Sequence, residues 1–553
     1  MYNIAYSFSP SEPPPLHALT ITLRSDWPRH RRVKESKRSH SMYLNEARNL
    51  FMIIWFGNRS YEKYDALKTS IIDKQSFGYG RRQFTFAHMN RPLRLLFFSF
   101  VFMSIWACRD DDSIFTSSSA MLNMSTDTVF FDTVFTSFIP GVPMSVNKQF
   151  VVRNPYKDKI KTNVDIVGGS NSYFRINVDG EVGPSIKNLE ILPGDSVFVF
   201  VEVSVEPNQD PQSLPLIIRD SIRFTTNGNS QHVQLAAWGQ DGHYFLRDTL
   251  CDAVLDDKLK PYVVHGYLYV PENCVLTIKP GVRMHFAPRS WLYVEGTLKI
   301  EGTNEEPVYF EGDRLQPTFE EEAGQWGGIW LNHLSKANRI DHARIKNGTV
   351  GIYCDSSSVD ETMPMVYVTN TLVRNMSFDG LSGKESYIKA ENSVFDNCGR
   401  YSFLGLWGGK YDLKHCDFLT YGYYFSRRDP TFVLNNVETD EFGRTIRIFD
   451  IEADVRNNII YGSTKEEVGF GLIQDRVVSF VFDCNLAKTE QALDKNGLKN
   501  VLNQDPLFVD YRSYDYHLDS LSPAIDMCTD VGVQFDLEGK MRDAKPDAGA
   551  YER

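Results

Sequence analysis

At 553 residues, with 42% hydrophobic and 13% aromatic content, the chain is too long for one compact domain and too rich in core-forming side chains to be disordered. Its net charge of -12 is uneven: residues 1–88 hold 14 Lys and Arg against 7 Asp and Glu, which leaves -19 on the rest and argues against nucleic acid as a partner. No apolar run reaches the roughly 18 residues of a membrane-spanning helix, and no phosphate loop, nucleotide fingerprint, HExxH or GxSxG motif occurs, so no cofactor or metal is expected.

The first 88 residues are basic and irregular, with Pro13-Pro14-Pro15 and the run His30-Arg31-Arg32-Val33-Lys34. A sharper signal follows at Met89. Arg91 and Arg94 precede an apolar stretch of 13 residues, Leu95 to Ala107, which suits the core of a signal peptide and is too short to cross a bilayer. Ala107-Cys108 at its end resembles a bacterial lipobox, although Trp106 stands where a small residue is usual. The resemblance implies cleavage before Cys108 and acylation of its thiol. Asp110, Asp111 and Asp112 then look like the acidic export tag of Bacteroidetes surface lipoproteins, which implies an outer-membrane anchor facing the cell exterior. On this reading 89–107 is the signal peptide, 108–119 an acidic tether, and 1–88 an unstructured upstream extension, translation starting at Met89.

Residues 120–242 read as a β-sandwich. Gln149 to Asn154 alternates and meets Pro155, Asp195 to Val203 is a β-branched and aromatic run after Pro193-Gly194, and Asn227-Gly228 joins Ser221–Thr225 to His232–Ala236 as a hairpin. Strands at this spacing suggest an immunoglobulin-like fold. The stretch resembles the Ig-like modules near the N-terminus of Bacteroidetes surface lipoproteins, which implies a spacer or docking role.

From residues 250 to 553 the pattern is one of stacked coils. Short strands separated by turns begin at Gly266–Val270 and continue through Leu276–Ile278, Val282–Phe286, Leu292–Val294, Leu298–Ile300 and Val308–Phe310. Each is too short to bury its face alone, and stacking coil upon coil resolves that. Later coils are anchored on a polar residue before an apolar pair: Asn370, Asn392, His415, Asn435 and Asn457, at intervals of 22, 23, 20 and 22 residues, with His342 and Asn485 as outlying members 28 residues away. These side chains are expected to ladder from coil to coil, satisfying buried polar atoms. The eight cysteines form no CxxC pair; Cys251 and Cys274 either bridge across the start of this region or remain buried thiols. Gly324-Gln325-Trp326-Gly327-Gly328-Ile329, and the closing phrases Asn503 to Asp510, Asp515 to Leu518, Ser522 to Asp526 and Pro546 to Glu552, resemble right-handed parallel β-helix proteins of the pectin-lyase-like group. The fold class is thus all-β, an Ig-like sandwich followed by a right-handed parallel β-helix whose C-terminal cap covers the open edge of the last coil.

Two functions compete. Trp326, Trp330, Trp407 and Tyr411, with Tyr421, Tyr423 and Tyr424, could offer a stacking surface for sugar rings, making the helix a non-catalytic scaffold for glycan or a surface protein. The alternative is a polysaccharide lyase or glycoside hydrolase, for which Asp379, Asp396, Asp417, Arg427, Arg428 and Asp429 are the candidate acids and bases. None falls in a catalytic motif, so no catalytic residue is assigned.

Overall fold

The computed structural model describes residues 113–136, 147–205, 216–356, 362–422, 427–493 and 499–553. The segment 1–88, the signal segment 89–107, Cys108, Asp110, Asp111, Asp112, Tyr423 and Tyr424 lie outside them.

The first module is a β-sandwich of two five-stranded sheets. One runs in the order Asn123–Met124, Lys148–Arg153, Ser196–Val203, Phe174–Val178, Glu181–Val182; the other Thr128–Phe135, Asn229–Gln240, Leu216–Thr226, Ile160–Ile166, Ser185–Ile191. Alternation sets the inner faces. In Ser196–Val203 the valines at 197, 199, 201 and 203 are buried while Phe198 and Phe200 face out. The expected hairpin is present, Asn229 pairing with Thr226 across a turn in which Asn227 and Gly228 both have positive φ. The module starts earlier than the expected boundary: the Phe115 N–H donates to the Lys159 carbonyl at 2.8 Å and its ring stacks on Tyr156, so residues 113–119 lie on the sandwich rather than forming a free tether.

Separated from Gln240 by Asp241 and Gly242, the strand His243–Thr249 forms the first rung of a parallel β-helix, ahead of the boundary at 250. Among the described residues, 25 strands join in one continuous ladder that winds round three faces. Face A stacks Arg283–Phe286, Val308–Gly312, Ala343–Lys346, Leu372–Arg374, Val394–Asp396, Asp417–Thr420, Ile459–Gly462 and Leu486–Ala487. Face B stacks Trp291–Val294, Gly328–Leu331, Ile352–Cys354, the first parts of Leu381–Glu391 and Phe403–Lys414, then Phe432–Asn435 and Val468–Gly471. Face C stacks Val275–Ile278, Thr297–Glu301, Asn338–Asp341, Val366–Thr369, the second parts of those two long strands, Ile451–Arg456 and Val477–Asp483. The inward residues of all three faces merge into one apolar column. Cys251 and Cys274 are disulfide-bonded across neighbouring coils.

The polar anchors fall at the corner between faces C and A. His342, Asn370, Asn392, His415, Asn457 and Cys484 all have φ between +46° and +59°, a left-handed turn that Asn tolerates best among residues bearing a Cβ. Asn370 Nδ2 donates to Asp341 at 3.0 Å and Asn457 Nδ2 to His415 at 2.9 Å. The residue after each anchor forms a second ladder. Asn458 Oδ1 accepts the N–H of Cys416 at 2.8 Å, Asn485 Oδ1 that of Asn458 at 3.0 Å, and Asn500 Oδ1 that of Asn485 at 3.0 Å. Asn435 belongs to neither ladder. It ends a face B strand, and the step from His415 to Asn457 is a single coil enlarged by the hairpin Val437–Thr439/Thr445–Ile448.

The C-terminal segment departs from expectation in direction. It runs back along the outside of face A: Asn457, Asn392 and Asn304 donate to the carbonyls of Thr529, Phe535 and Glu538 in turn. Phe508, Tyr516, Leu518, Leu537 and Ala550 pack there on the outward Val394, Leu419 and Ile459, a second apolar core outside the coils.

Candidate functional site: an aromatic strip on face B

The three faces differ in what they present outward. Face A is covered by the C-terminal segment from Leu372–Arg374 to Leu486–Ala487. Face C carries a charged ladder in which Lys389 pairs with Glu391 at 3.0 Å, Lys414 with Asp412 at 2.9 Å and Arg456 with Asp454 at 2.6 Å. Face B carries aromatic rings.

In Tyr267-Leu268-Tyr269-Val270 and Trp291-Leu292-Tyr293-Val294 the aliphatic residues point into the column, so the aromatic ones point out. Register then aligns Tyr269, Tyr293, Trp330 and Tyr353 on four successive coils, with Tyr267 above Trp291. Ring centroids lie 5.9 Å apart for Trp291–Tyr293, 5.6 Å for Tyr293–Trp330 and 5.2 Å for Trp330–Tyr353, and every ring is partly exposed. Glycine makes this possible: a Cβ on Gly327 would sit 2.2 Å from the Trp291 ring. Beside the strip runs a polar column at the corner to face C, formed by Glu295, Asn332 and Asp355 one coil apart; Glu295 accepts from Tyr269 and Asp355 faces Lys384 at 3.8 Å. Burial pushes the Tyr293 phenol up to about 12, and burial with the Glu295 hydrogen bond does the same for Tyr269, so both stay neutral donors.

The four aromatic residues expected to bind glycan are not brought together. Trp330 is in the strip. Trp326 is fully buried, its ring stacked on Phe286 at 4.3 Å and its Nε1 donating to the Lys346 carbonyl. Tyr411 is 1% exposed, its hydroxyl donating to the Gly408 carbonyl at 2.7 Å. Neither can offer a ring face to a sugar, because strand register turns Tyr411 inward and the bridge to Gly348 ahead of Gly328–Leu331 holds Trp326 in the column. Trp407 lies between Lys384, 4.4 Å from its centroid, and Phe449, stacked at 5.9 Å. Tyr421 is stacked on Tyr511 of the C-terminal segment at 4.2 Å. Sequence reasoning missed Tyr267, Tyr269, Trp291, Tyr293 and Tyr353, although the alternation in their strands was the signal that could have found them.

The candidate acids have structural employment. Asp396 takes Arg374 Nε at 3.0 and 2.9 Å and the Tyr516 hydroxyl at 2.6 Å, beneath the C-terminal segment. Asp417 lies under the same cover, but in register with Val394 rather than Asp396. Asp379 is clamped by Arg400 at 2.9 and 2.7 Å, and Arg427 is buried against Glu467 at 2.9 and 2.6 Å. Asp429 gives its carbonyl to Arg427, and Arg428 is exposed. Among the described residues no group of three or more His, Cys, Asp or Glu is placed to hold a metal ion.

Fold and site together define an all-β protein in which a β-sandwich leads into a parallel β-helix, sealed on one face and aromatic on another. No protein-family model matches the chain, and no curated protein does. Among solved structures it shows partial similarity to a family 123 glycoside hydrolase from Clostridium perfringens, at 8% identity over 23% of this chain and 30% of that one, with a TM-score of 0.16. The Escherichia coli chaperone DraB matches at 9% identity over 23% of this chain and 56% of its own, TM-score 0.15, and the CooA pilin subunit of enterotoxigenic Escherichia coli at 10% over 22% and 97%, TM-score 0.15. The chain thus spans under a third of the hydrolase and little more than half of the chaperone, and overlaps this slight carry no structural argument.

Proposed function

We propose that the chain is a surface lipoprotein of Bacteroidetes type, anchored in the outer membrane through Cys108, whose pectin-lyase-like β-helix binds a neutral glycan along face B without cleaving it. The observation that carries this reading is the strip of partly exposed rings on four successive coils, set beside a polar column. Sugar rings present apolar faces that stack on aromatic platforms and hydroxyls that bond to a polar edge. The carboxylates of Glu295 and Asp355 in that edge, on a chain of net charge -12, favour hydroxyl-rich neutral sugars over uronates. The pairing of Asp379 and Asp396 with arginines speaks against a lyase or hydrolase built on those acids.

The test is affinity electrophoresis of the full chain through soluble glucans, mannans and xylans, with pectin and alginate as uronate controls, and assays of new reducing ends and unsaturated products on the same samples. A neutral polymer should retard the protein. Trp330→Ala should weaken that retardation about ten-fold, or about 1.4 kcal/mol, while Trp238→Ala on the sandwich leaves it unchanged. Retardation by none of the polymers, or release of cleavage products, rules the reading out. Mass spectrometry of the native protein tests the anchor: an acylated Cys108 and no peptide from residues 1–88 are expected.

A further inference from the structure

Five cysteines in the described residues carry free thiols, and they divide into two kinds. Cys354, Cys398 and Cys416 lie in the apolar column of the coils. Cys484 and Cys528 lie instead in the second core, where the C-terminal segment meets the last coils of face A, and they are 1% and 4% exposed. Cys484 is the left-handed corner residue just before the strand Leu486–Ala487, and Cys528 approaches from the returning segment. The Cys528 thiol donates to the Cys484 carbonyl at 3.1 Å. This chain already closes one disulfide between neighbouring layers, Cys251–Cys274.

We propose that Cys484 and Cys528 form a second disulfide under oxidising conditions, fastening the C-terminal segment to the end of the helix. The bond closes as the segment docks. The Cys484 thiol is the one prepared for attack, because the neighbouring Cys528 thiol brings its pKa down to about 7, whereas burial and the neighbouring Cys484 push Cys528 well up. The Cys484 thiolate attacks one sulfur of a small-molecule or protein disulfide, expelling the first thiol and forming a mixed disulfide. Cys528, giving its proton to solvent, attacks Cys484 Sγ and expels the second. Two electrons pass to the external disulfide, which leaves as two thiols, and one S–S bond joins residues 44 apart.

The full chain is reduced in denaturant, refolded with glutathione disulfide until the Cys251–Cys274 link is complete, quenched with acid, alkylated with iodoacetamide in denaturant and digested with trypsin. Completion is read from the joined peptides 248–258 and 259–283. Most of peptide 477–488, which holds Cys484, should then be recovered joined to 513–540, which holds Cys528, two hydrogens lighter than their sum and separating on reduction. Recovery of both peptides singly alkylated, with the control link formed, overturns the proposal. Linkage of Cys528 to Cys354, Cys398 or Cys416 overturns it equally.

Discussion

Asp417 and Asp341 both lose water on folding, and their carboxyls move in opposite directions. Burial opposes the charge of Asp341, but hydrogen bonds from His342, Asn370 and Thr369 hold its pKa at about 2. Asp417 has no side-chain donor, and burial pushes it from 3.8 up to about 8 against the pull of the Ala550 N–H and the Arg542 charge. Between those two values the folded chain keeps a proton that the unfolded chain releases. The stability Asp417 contributes is therefore fully present below about pH 4 and is lost as pH rises to about 8. Asp341 acts in the other window: its contribution is present above about pH 4 and is lost as pH falls toward 2. Asp417→Asn should leave stability at pH 4 nearly unchanged and raise it at pH 8 on the order of a few kcal/mol. Urea unfolding of both proteins at the two pH values measures this, and a gap between them that does not widen with pH contradicts the assignment.

Asparagine announces the elements better than hydrophobicity does, because a corner at positive φ strains most side chains. Asn370, Asn392 and Asn457 were therefore legible as corners, and His342 and His415 with them by spacing. Asn347, Asn375 and Asn397 hold an equivalent corner after face A, at φ +63°, +56° and +51°, and repeat the same steps of 28 and 22 residues, yet escaped notice because each follows its strand instead of preceding one. Asn435 misled for the converse reason: an inserted hairpin put an asparagine at coil spacing in the middle of a coil. The C-terminal segment was legible as a segment but not as a path, since its contacts on face A reach back as far as 120 and 143 residues in sequence. That path sets a close approach at Gly549, which has φ +95° and where a Cβ would stand 2.4 Å from Asp417 Oδ1 and 2.8 Å from Ile459. Gly549→Ala should undock the segment and leave the coils wound. Limited proteolysis would then cut within 503–553 at least ten-fold faster than in the parent, while far-ultraviolet circular dichroism changes little. Equal cleavage rates would show that the segment adapts to the added methyl.

At the scale of the molecule, the sandwich and the helix were each legible because period-2 alternation and turn residues are local signals, whereas the face of a ring and the joint between modules depend on neighbours that no window of sequence contains. The strand Asn229–Gln240 reaches His243–Thr249 through Asp241 and Gly242 alone, and a Cβ at Gly242 would meet Val263 at 2.8 Å. Across this joint the Tyr244 hydroxyl donates to the Thr136 carbonyl at 2.7 Å and lies 2.7 Å from its Oγ1, Thr136 also reaches Asp241 at 3.1 Å, and the Phe135 ring rests 5.0 Å from His285 on the outside of face A. Coils stacked in one dimension transmit stability only between neighbours, so the first rung is where the helix and the sandwich support each other. Tyr244→Phe keeps the ring and removes the hydroxyl, taking that donor from the buried Thr136 carbonyl at a cost of about 1–3 kcal/mol. The loss belongs to the joint, not to either core. Calorimetry should therefore show the two modules melting closer to independently, with the sandwich transition moving down by a few degrees and the transition of the later coils holding its temperature. A uniform downward shift of the whole profile would mean instead that sandwich and helix unfold as one cooperative unit.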